Sequence, residues 1–376
     1  MRRREMGTVA RRAGAGRARR ARRALALAGV LAAGGMAATP SPTGAVVAGP
    51  AGKIAFESNR DGNPEIYVMN GDGTVETNVT NHPGWDFYPV WSPDATEIAW
   101  GSDRGEQFNV DVHVMAADGT DVRRLTTTPG EDRGASWSSD GSKIAFHSAR
   151  HRGVSAHAFD LMVMNADGTD QKVLDQNGSA GYVCATPGVA NTDKVVFNSN
   201  RTGAFEIYTI PIDGSAPATQ VTNFGDFNSG PKWSPDCSSI AFNRFDAGGS
   251  LDVFRIDADG DPTSLVNLTN APGVFDAFAA WSPEGDRILF SSNRDVNFEI
   301  YTMDADDGAD VVRYTHTGKG EADLRGDWGT APNTYGPPTD KDQCRKGRWM
   351  EFRTPTFNDQ SECVSYVASG SIVNDA

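Results

Sequence analysis

Asp86, Asp132, Asn228, Asp276 and Asp323 share one spacing: each stands five residues before a tryptophan, at Trp91, Trp137, Trp233, Trp281 and Trp328. Carboxylates that recur at one position of a repeated unit converge when the units are arranged round an axis. Neighbours roughly 8–10 Å apart would repel by about 2 kcal/mol per pair at an effective dielectric near 20. A bound cation such as Ca²⁺, or a lysine or arginine from a basic peptide, relieves that repulsion. These five positions are therefore the candidate ligand-binding set, at the mouth of a central channel. The structural alternative is that each Asp caps neighbouring backbone N–H groups, as short acidic side chains do readily.

A second charge series runs through the chain. Arg60, Arg104, Arg150, Arg201, Arg244 and Arg294 follow six apolar segments, and Glu65, Asp111, Asp160, Glu206, Asp252 and Glu299 open the next ones. Across a hairpin loop such opposite charges attract by roughly 0.2–1 kcal/mol. A pair present in every unit is expected to build the unit. Three histidines, His147, His151 and His157, lie close together in "HSARHRGVSAH". No Cys or acid completes a familiar zinc spacing around them, and loop histidines are ordinarily solvated. The sequence holds no G-x-S-x-G elbow and no Gly-rich phosphate loop with its lysine.

The elements that must position these residues are read from repetition. An apolar strand occurs six times: "KIAF" from Lys53, "EIAW" from Glu97, "KIAF" from Lys143, "KVVF" from Lys194, "SIAF" from Ser239 and "RILF" from Arg287. A second strand follows each one, such as "EIYVM" or "DVHVM". Asp-Gly then marks a hairpin turn at Asp72-Gly73, Asp118-Gly119, Asp167-Gly168, Asp213-Gly214 and Asp259-Gly260, because both central residues tolerate positive φ. Short last strands end at Thr80, Thr126, Thr222, Thr269 and Thr315. Four antiparallel strands in about 47 residues, repeated, describe a propeller blade. In the fourth unit the spacing puts Ala185 at the Trp place and Ala180 at the Asp place.

The repeated unit W-S-P-D-G, I-A-F, S-x-R, E-I-Y-x-M, D-G-T, L-T resembles the propeller repeat of the TolB family, over residues 52–329. The resemblance implies an all-β, six-bladed TolB-like β-propeller with four antiparallel strands per blade. It also implies an interaction platform, although the scaffold serves peptidase caps and a few polysaccharide lyases as well. The first copy begins at Lys53 without a W-S-P strand, and the last is followed by "GEADLRGDWGT" with no I-A-F after it. The C-terminal strand is thus expected to complete the first blade and close the ring, removing two open sheet edges.

Residues 1–48 form an export signal peptide and short leader, residues 49–330 the propeller, 331–342 a Pro- and Gly-rich linker, and 343–376 a small C-terminal piece. Ten arginines between Arg2 and Arg23 precede the apolar run Ala24–Ala38, the pattern of an n-region and h-region. Removal of 1–38 leaves 25 basic and 48 acidic residues, a formal charge near −23. Such a chain repels nucleic acid and anionic membranes, and no integral membrane segment is expected after signal removal. The C-terminal piece resembles a short Cys–Trp–Cys cassette of secreted actinobacterial proteins. Four cysteines in an exported chain suggest disulfides with three possible connectivities. Cys344–Cys363 is the local choice, and Cys184 and Cys237, on adjacent blades, are a candidate second pair. The expected function is that of an exported or periplasmic, non-catalytic monomer that binds a protein or basic peptide. The alternative is a carbohydrate-active lyase or hydrolase on the same propeller.

Overall fold

The computed structural model describes residues 52–106, 109–151, 159–176, 179–184, 193–245 and 248–330. The leader 1–48, the linker 331–342 and the cassette with Cys344 and Cys363 lie outside the described residues, as do Ala185 and His157. The remainder is six four-stranded antiparallel sheets. Five are continuous in sequence. Blade six, for example, runs Asp276–Trp281, Arg287–Asp295, Asn297–Asp304 and Val312–Arg313. Blade one is split: the last strand, Asp323–Gly329, pairs with the first, Lys53–Ser58, in the register Lys53↔Gly329 and Ser58↔Asp323. The first strands of the six sheets contact one another in a closed cycle, so they form the wall of the central channel. The ring closes as the split repeat requires.

The second and third strands of each blade are buried on both faces, as Lys53–Ser58 and Glu65–Asn70 show. Stacking between two neighbouring blades demands this, and it explains why I-A-F and E-I-Y-x-M read as continuous apolar runs instead of alternating ones. The repeated tryptophans are the wedges between blades. Trp91 shares a core with Ala55, Ile66 and Val68 of blade one, and its ring lies where a Cβ on Gly329 would sit, 2.5 Å away. Trp137 packs likewise on Val90, Val112 and Val114 of blade two. Replacing such a buried tryptophan by alanine typically costs about 3–5 kcal/mol.

The W-S-P-D turn that follows each wedge is held by its own side chains. Ser92 Oγ accepts the Glu97 N–H at 2.9 Å, and Asp94 accepts the Thr96 N–H at 3.1 Å. Ser138 with Asp140, and Ser234 with Asp236, repeat the arrangement. The next residue sits at positive φ: Ala95, Gly141, Cys237 and Gly285. Cys237 is disulfide-bonded.

Blade four corrects one alignment. Its first strand, Ser179–Cys184, places Val183 opposite Val195, just as Trp91 stands opposite Ile98. Val183 therefore holds the register position of Trp91, which spacing assigned to Ala185. Ser179 pairs with Asn198, as Phe87 pairs with Gly101, so Ala180 does not hold the Asp place.

Candidate functional site

The five periodic polar residues all begin first strands, and all are fully buried. The carboxylates that the sequence offered to an outside cation are each met by an arginine of their own blade. Arg104 bonds Asp86 at 2.7 Å, Arg150 bonds Asp132 at 2.6 Å, Arg60 bonds Asp323 at 2.7 Å, and Arg294 reaches both oxygens of Asp276 at 3.1 Å. The guanidinium Nε of each donates to a serine two residues earlier, at Ser102, Ser148, Ser58 and Ser292. It also lies over an aromatic ring of the second strand, as Arg104 over Trp100 at 5.0 Å and Arg294 over Phe290 at 5.1 Å. Burial raises the pKa of Asp323, with hydrogen bonds from Ser58, Arg60 and Thr315 opposing.

This replaces the expected pairing across the hairpin loop. The arginines do not join the acids that open the third strands. In five blades those acids accept a hydroxyl from just past the outermost strand instead: Thr80 donates to Glu65, Thr126 to Asp111, Thr222 to Glu206, Thr269 to Asp252 and Thr315 to Glu299. The same hydroxyls accept third-strand N–H groups, as from Ile66 and Ile300 at 2.9 Å. Each acid thus anchors the short outer strand. Blade three has no such threonine, and there His151 Nδ1 lies 3.0 Å from Asp160.

Every first strand carries a bulge after its opening residues. The extra residue takes positive φ at Tyr88, Gly134, Gly230, Phe278 and Arg325. A bulge re-aims a side chain, and here it builds the channel wall. Arg325 lies between Tyr88 and Phe278, 4.4 and 4.7 Å from their ring centres. Its Nη1 donates to both carboxylate oxygens of Glu57, at 2.9 and 2.8 Å, and its backbone N–H donates to Ser291 Oγ at 3.0 Å. One residue of the closing strand thereby touches blades six, one and two. Burial pushes the Glu57 carboxyl up despite Arg325. Across the same channel Lys232 of blade five pairs with Asp327 at 2.9 Å. His147 packs against Gly134, where a Cβ would come within 2.2 Å of its ring. Burial and the nearby Arg133 charge lower its pKa to about 3.

Blade five departs from this plan on the face where first strands begin. Five blades carry Ser-x-Arg after the second strand: Ser58-Asn59-Arg60, Ser102-Asp103-Arg104, Ser148-Ala149-Arg150, Ser199-Asn200-Arg201 and Ser292-Asn293-Arg294. Blade five has Arg244-Phe245-Asp246. Register places Arg244 opposite Asn228, the serine position, so it is not the sixth member of the arginine series. Arg244 reaches out to Asp226 at 2.9 Å and covers Phe224 at 4.5 Å. Asn228 turns its amide to Glu206 of blade four, at 3.0 Å. Phe245 packs on Phe227 at a tilt of 50°, and Phe227 meets Phe205 edge to face at 70°, both at 5.5 Å between ring centres. Phe245 also pairs with Leu251, which bridges to Phe275 of blade six.

The residues that reasoning from spacing missed are Arg325 and this phenyl cluster. The signal for Arg325 was its place two residues after a periodic Asp, matching Tyr88 and Phe278. For the cluster it was the broken Ser-x-Arg triplet. Among the described residues no group of His, Cys, Asp and Glu is arranged to hold a metal, and no helix is long and apolar enough to cross a membrane.

Comparison with known proteins agrees with the architecture. The family described as TolB beta propeller domain matches residues 35–215 and 149–330. The chain belongs to that family. An uncharacterized protein of Agrobacterium fabrum is 33% identical over 116 residues, covering 29% of this chain and 38% of that protein. A protein TolB homolog of Chlorobaculum tepidum is 44% identical over 48 residues, 13% of this chain and 11% of that one. The matches thus span well under half the length of these relatives. The crystal structure of TolB from Acinetobacter baumannii superposes with a TM-score of 0.62 at 20% identity, over 74% of this chain and 66% of that one. A putative TolB from Agrobacterium tumefaciens gives 0.55 at 20% identity, over 74% and 98%.

Proposed function

We propose that this member of the TolB propeller family is an exported, non-catalytic module that binds a protein or peptide partner. One observation carries the reading. The phenylalanines and tryptophans most exposed among the described residues, Trp85 at 57%, Phe275 at 42%, Phe227 at 40% and Phe245 at 38%, all stand on one face, where first strands begin and second strands end. Beneath that face the buried Asp and Arg side chains of four blades pair with one another, and these rings stand out from it. Exposed aromatic surface on a rigid scaffold is the composition of a partner-binding face. The W-S-P-D turns on the opposite face show no exposed aromatic among the described residues. The arginine-rich leader supplies the export half of the reading.

The test is site-specific photo-cross-linking of the full chain in exported material from the native cell. A cross-linker at Thr202 or Lys319, on the aromatic face, is expected to capture a discrete protein partner. The same group at Ser139 or Ser238, in the turns of the other face, is expected to capture none. Capture confined to the turn face overturns the assignment. Release of unsaturated oligosaccharides from acidic polysaccharide by the purified chain would assign an enzyme instead.

A further inference from the structure

We propose that the phenyl patch of blade five, Phe227 and Phe245 with Leu251 and Phe275 alongside, is the docking point for a basic polypeptide segment that seats an apolar side chain there. This rests on the protein-binding reading and deepens it.

The chain provides its own control, because six blades solve one construction problem. Asn59, Asp103 and Asn293 each accept the N–H of the residue ahead of a first strand, from Ala322, Trp85 and Phe275, at 2.7–2.9 Å. Phe245 holds the corresponding place in blade five and offers no acceptor to Phe227. Beside it, the serine that elsewhere steadies the arginine is Arg244, and the buried Asp is Asn228. Three neighbouring positions of one blade thus abandon the shared scheme together. What stands there in blade five is Phe227 and Phe245, each about two-fifths exposed, with Phe275 of blade six alongside Leu251. Local rules broken together on a surface, without a structural gain, mark a functional place.

The chemistry of the patch selects its occupant. Phenyl rings neither donate nor accept ordinary hydrogen bonds, so they favour an aliphatic or aromatic side chain over a hydroxyl-rich sugar. The half-exposed acids on this face are Asp226, paired with Arg244, and Asp295, paired with Arg313, so the attraction comes from the net charge of the chain. The whole chain carries a formal charge of −14. That field draws in a basic segment and repels a second copy of the chain.

The experiment measures fluorescence polarisation of short labelled peptides on the full chain. Each peptide has one Leu-Phe core, flanked by lysine, serine or glutamate, and labelled oligogalacturonate is the sugar probe. The lysine-flanked peptide is expected to bind best and to weaken as salt rises toward about 0.5 M. The variant Phe227→Ala/Arg244→Ser/Phe245→Asn should bind it about tenfold or more weakly, with an unchanged or higher melting temperature. Ser139→Ala, in a turn of the opposite face, should bind like the parent. If the triple variant binds as the parent does, the patch is not the site, although partner capture through Thr202 would still uphold the broader reading. Preference for glutamate-flanked peptide or for oligogalacturonate, or dimerisation abolished by the triple variant, overturns the proposed occupant. No binding of any peptide by the parent overturns the proposal outright.

Discussion

Blades five and six are neighbours with the same four strands, yet they use their polar residues for different ends. Blade six keeps the whole internal set: Asp276 buried beneath Arg294, Arg294 steadied by Ser292, and Asn293 closing the Phe275 N–H. Blade five sends its arginine outward to Asp226 and turns Asn228 to the preceding blade. Burying a charged pair is costly, and it persists where geometry and further hydrogen bonds complete it. Repetition of the full arrangement in four blades identifies it as the element that joins the start of the first strand to the end of the second. Blades four and five do without it, Arg201 going to Asp175 and Arg244 to Asp226, so the ring tolerates two omissions.

The largest effect expected from this contrast is on stability. Arg294→Met leaves the Asp276 carboxylate buried without its cation. Removing one partner of a buried pair costs about 3–5 kcal/mol. Arg244→Met removes a pair whose acid is half exposed, where the cost is about 1 kcal/mol or less. Urea unfolding of the two variants side by side should separate them by that margin. Equal losses would mean that the buried pair contributes no more than a surface one.

A second, smaller effect concerns the channel wall, where blade three has His147 and blade five has Asn243 at the corresponding place of the second strand. The folded chain holds His147 neutral down to about 3, from an ordinary value of 6.5. Between those limits the unfolded chain binds more protons, so stability falls as pH drops through that window. At pH near 4.5 the loss from this group is about 2–3 kcal/mol. His147→Asn, which installs the blade-five residue, should flatten that part of the acid limb while leaving neutral stability nearly unchanged. Tm measured across pH for both proteins checks it. Parallel profiles would show that His147 is already protonated in the fold.

Much of this was legible in the sequence because it is written repeatedly. The blade count, the split first blade and the Asp-Gly turns follow from period and end effects alone. The arginine series and the first-strand acids were legible too, but their pairing was not read. Asp86 and Arg104, Asp132 and Arg150, and Asp276 and Arg294 are each 18 residues apart, whereas the third-strand acids are much closer in sequence. Proximity along the chain misled. Antiparallel pairing sets Asp86 opposite Ser102 and leaves Arg104 just beyond it. The bulges were not legible, since positive φ at Tyr88, Phe278 and Arg325 contradicts the preference of those residue types and is imposed by the ring. In blade four, spacing failed because Val183 and its partner Val195 are 12 residues apart in sequence, where Trp91 and Ile98 are 7 apart.

The smallest expected effect is the most diagnostic for blade five. Phe245→Asn gives this blade the residue that blades one, four and six carry. Asn293 Oδ1 accepts the Phe275 N–H at 2.9 Å in blade six, and an asparagine at 245 would be placed to do the same for Phe227. A net hydrogen bond of this kind is worth about 0.5–1.5 kcal/mol. Against it stands the loss of ring packing on Phe227 and Leu251, which is modest because Phe245 is 38% exposed. The sum is a gain of about 0.5 kcal/mol, or no change. Thermal unfolding of parent and variant measures it directly. A gain means that the natural residue is held at a position where stability alone would choose asparagine, as a binding surface requires. A loss beyond about 1.5 kcal/mol would show that Phe245 is a packing residue of the blade, and the phenyl cluster would then be part of the construction it departs from.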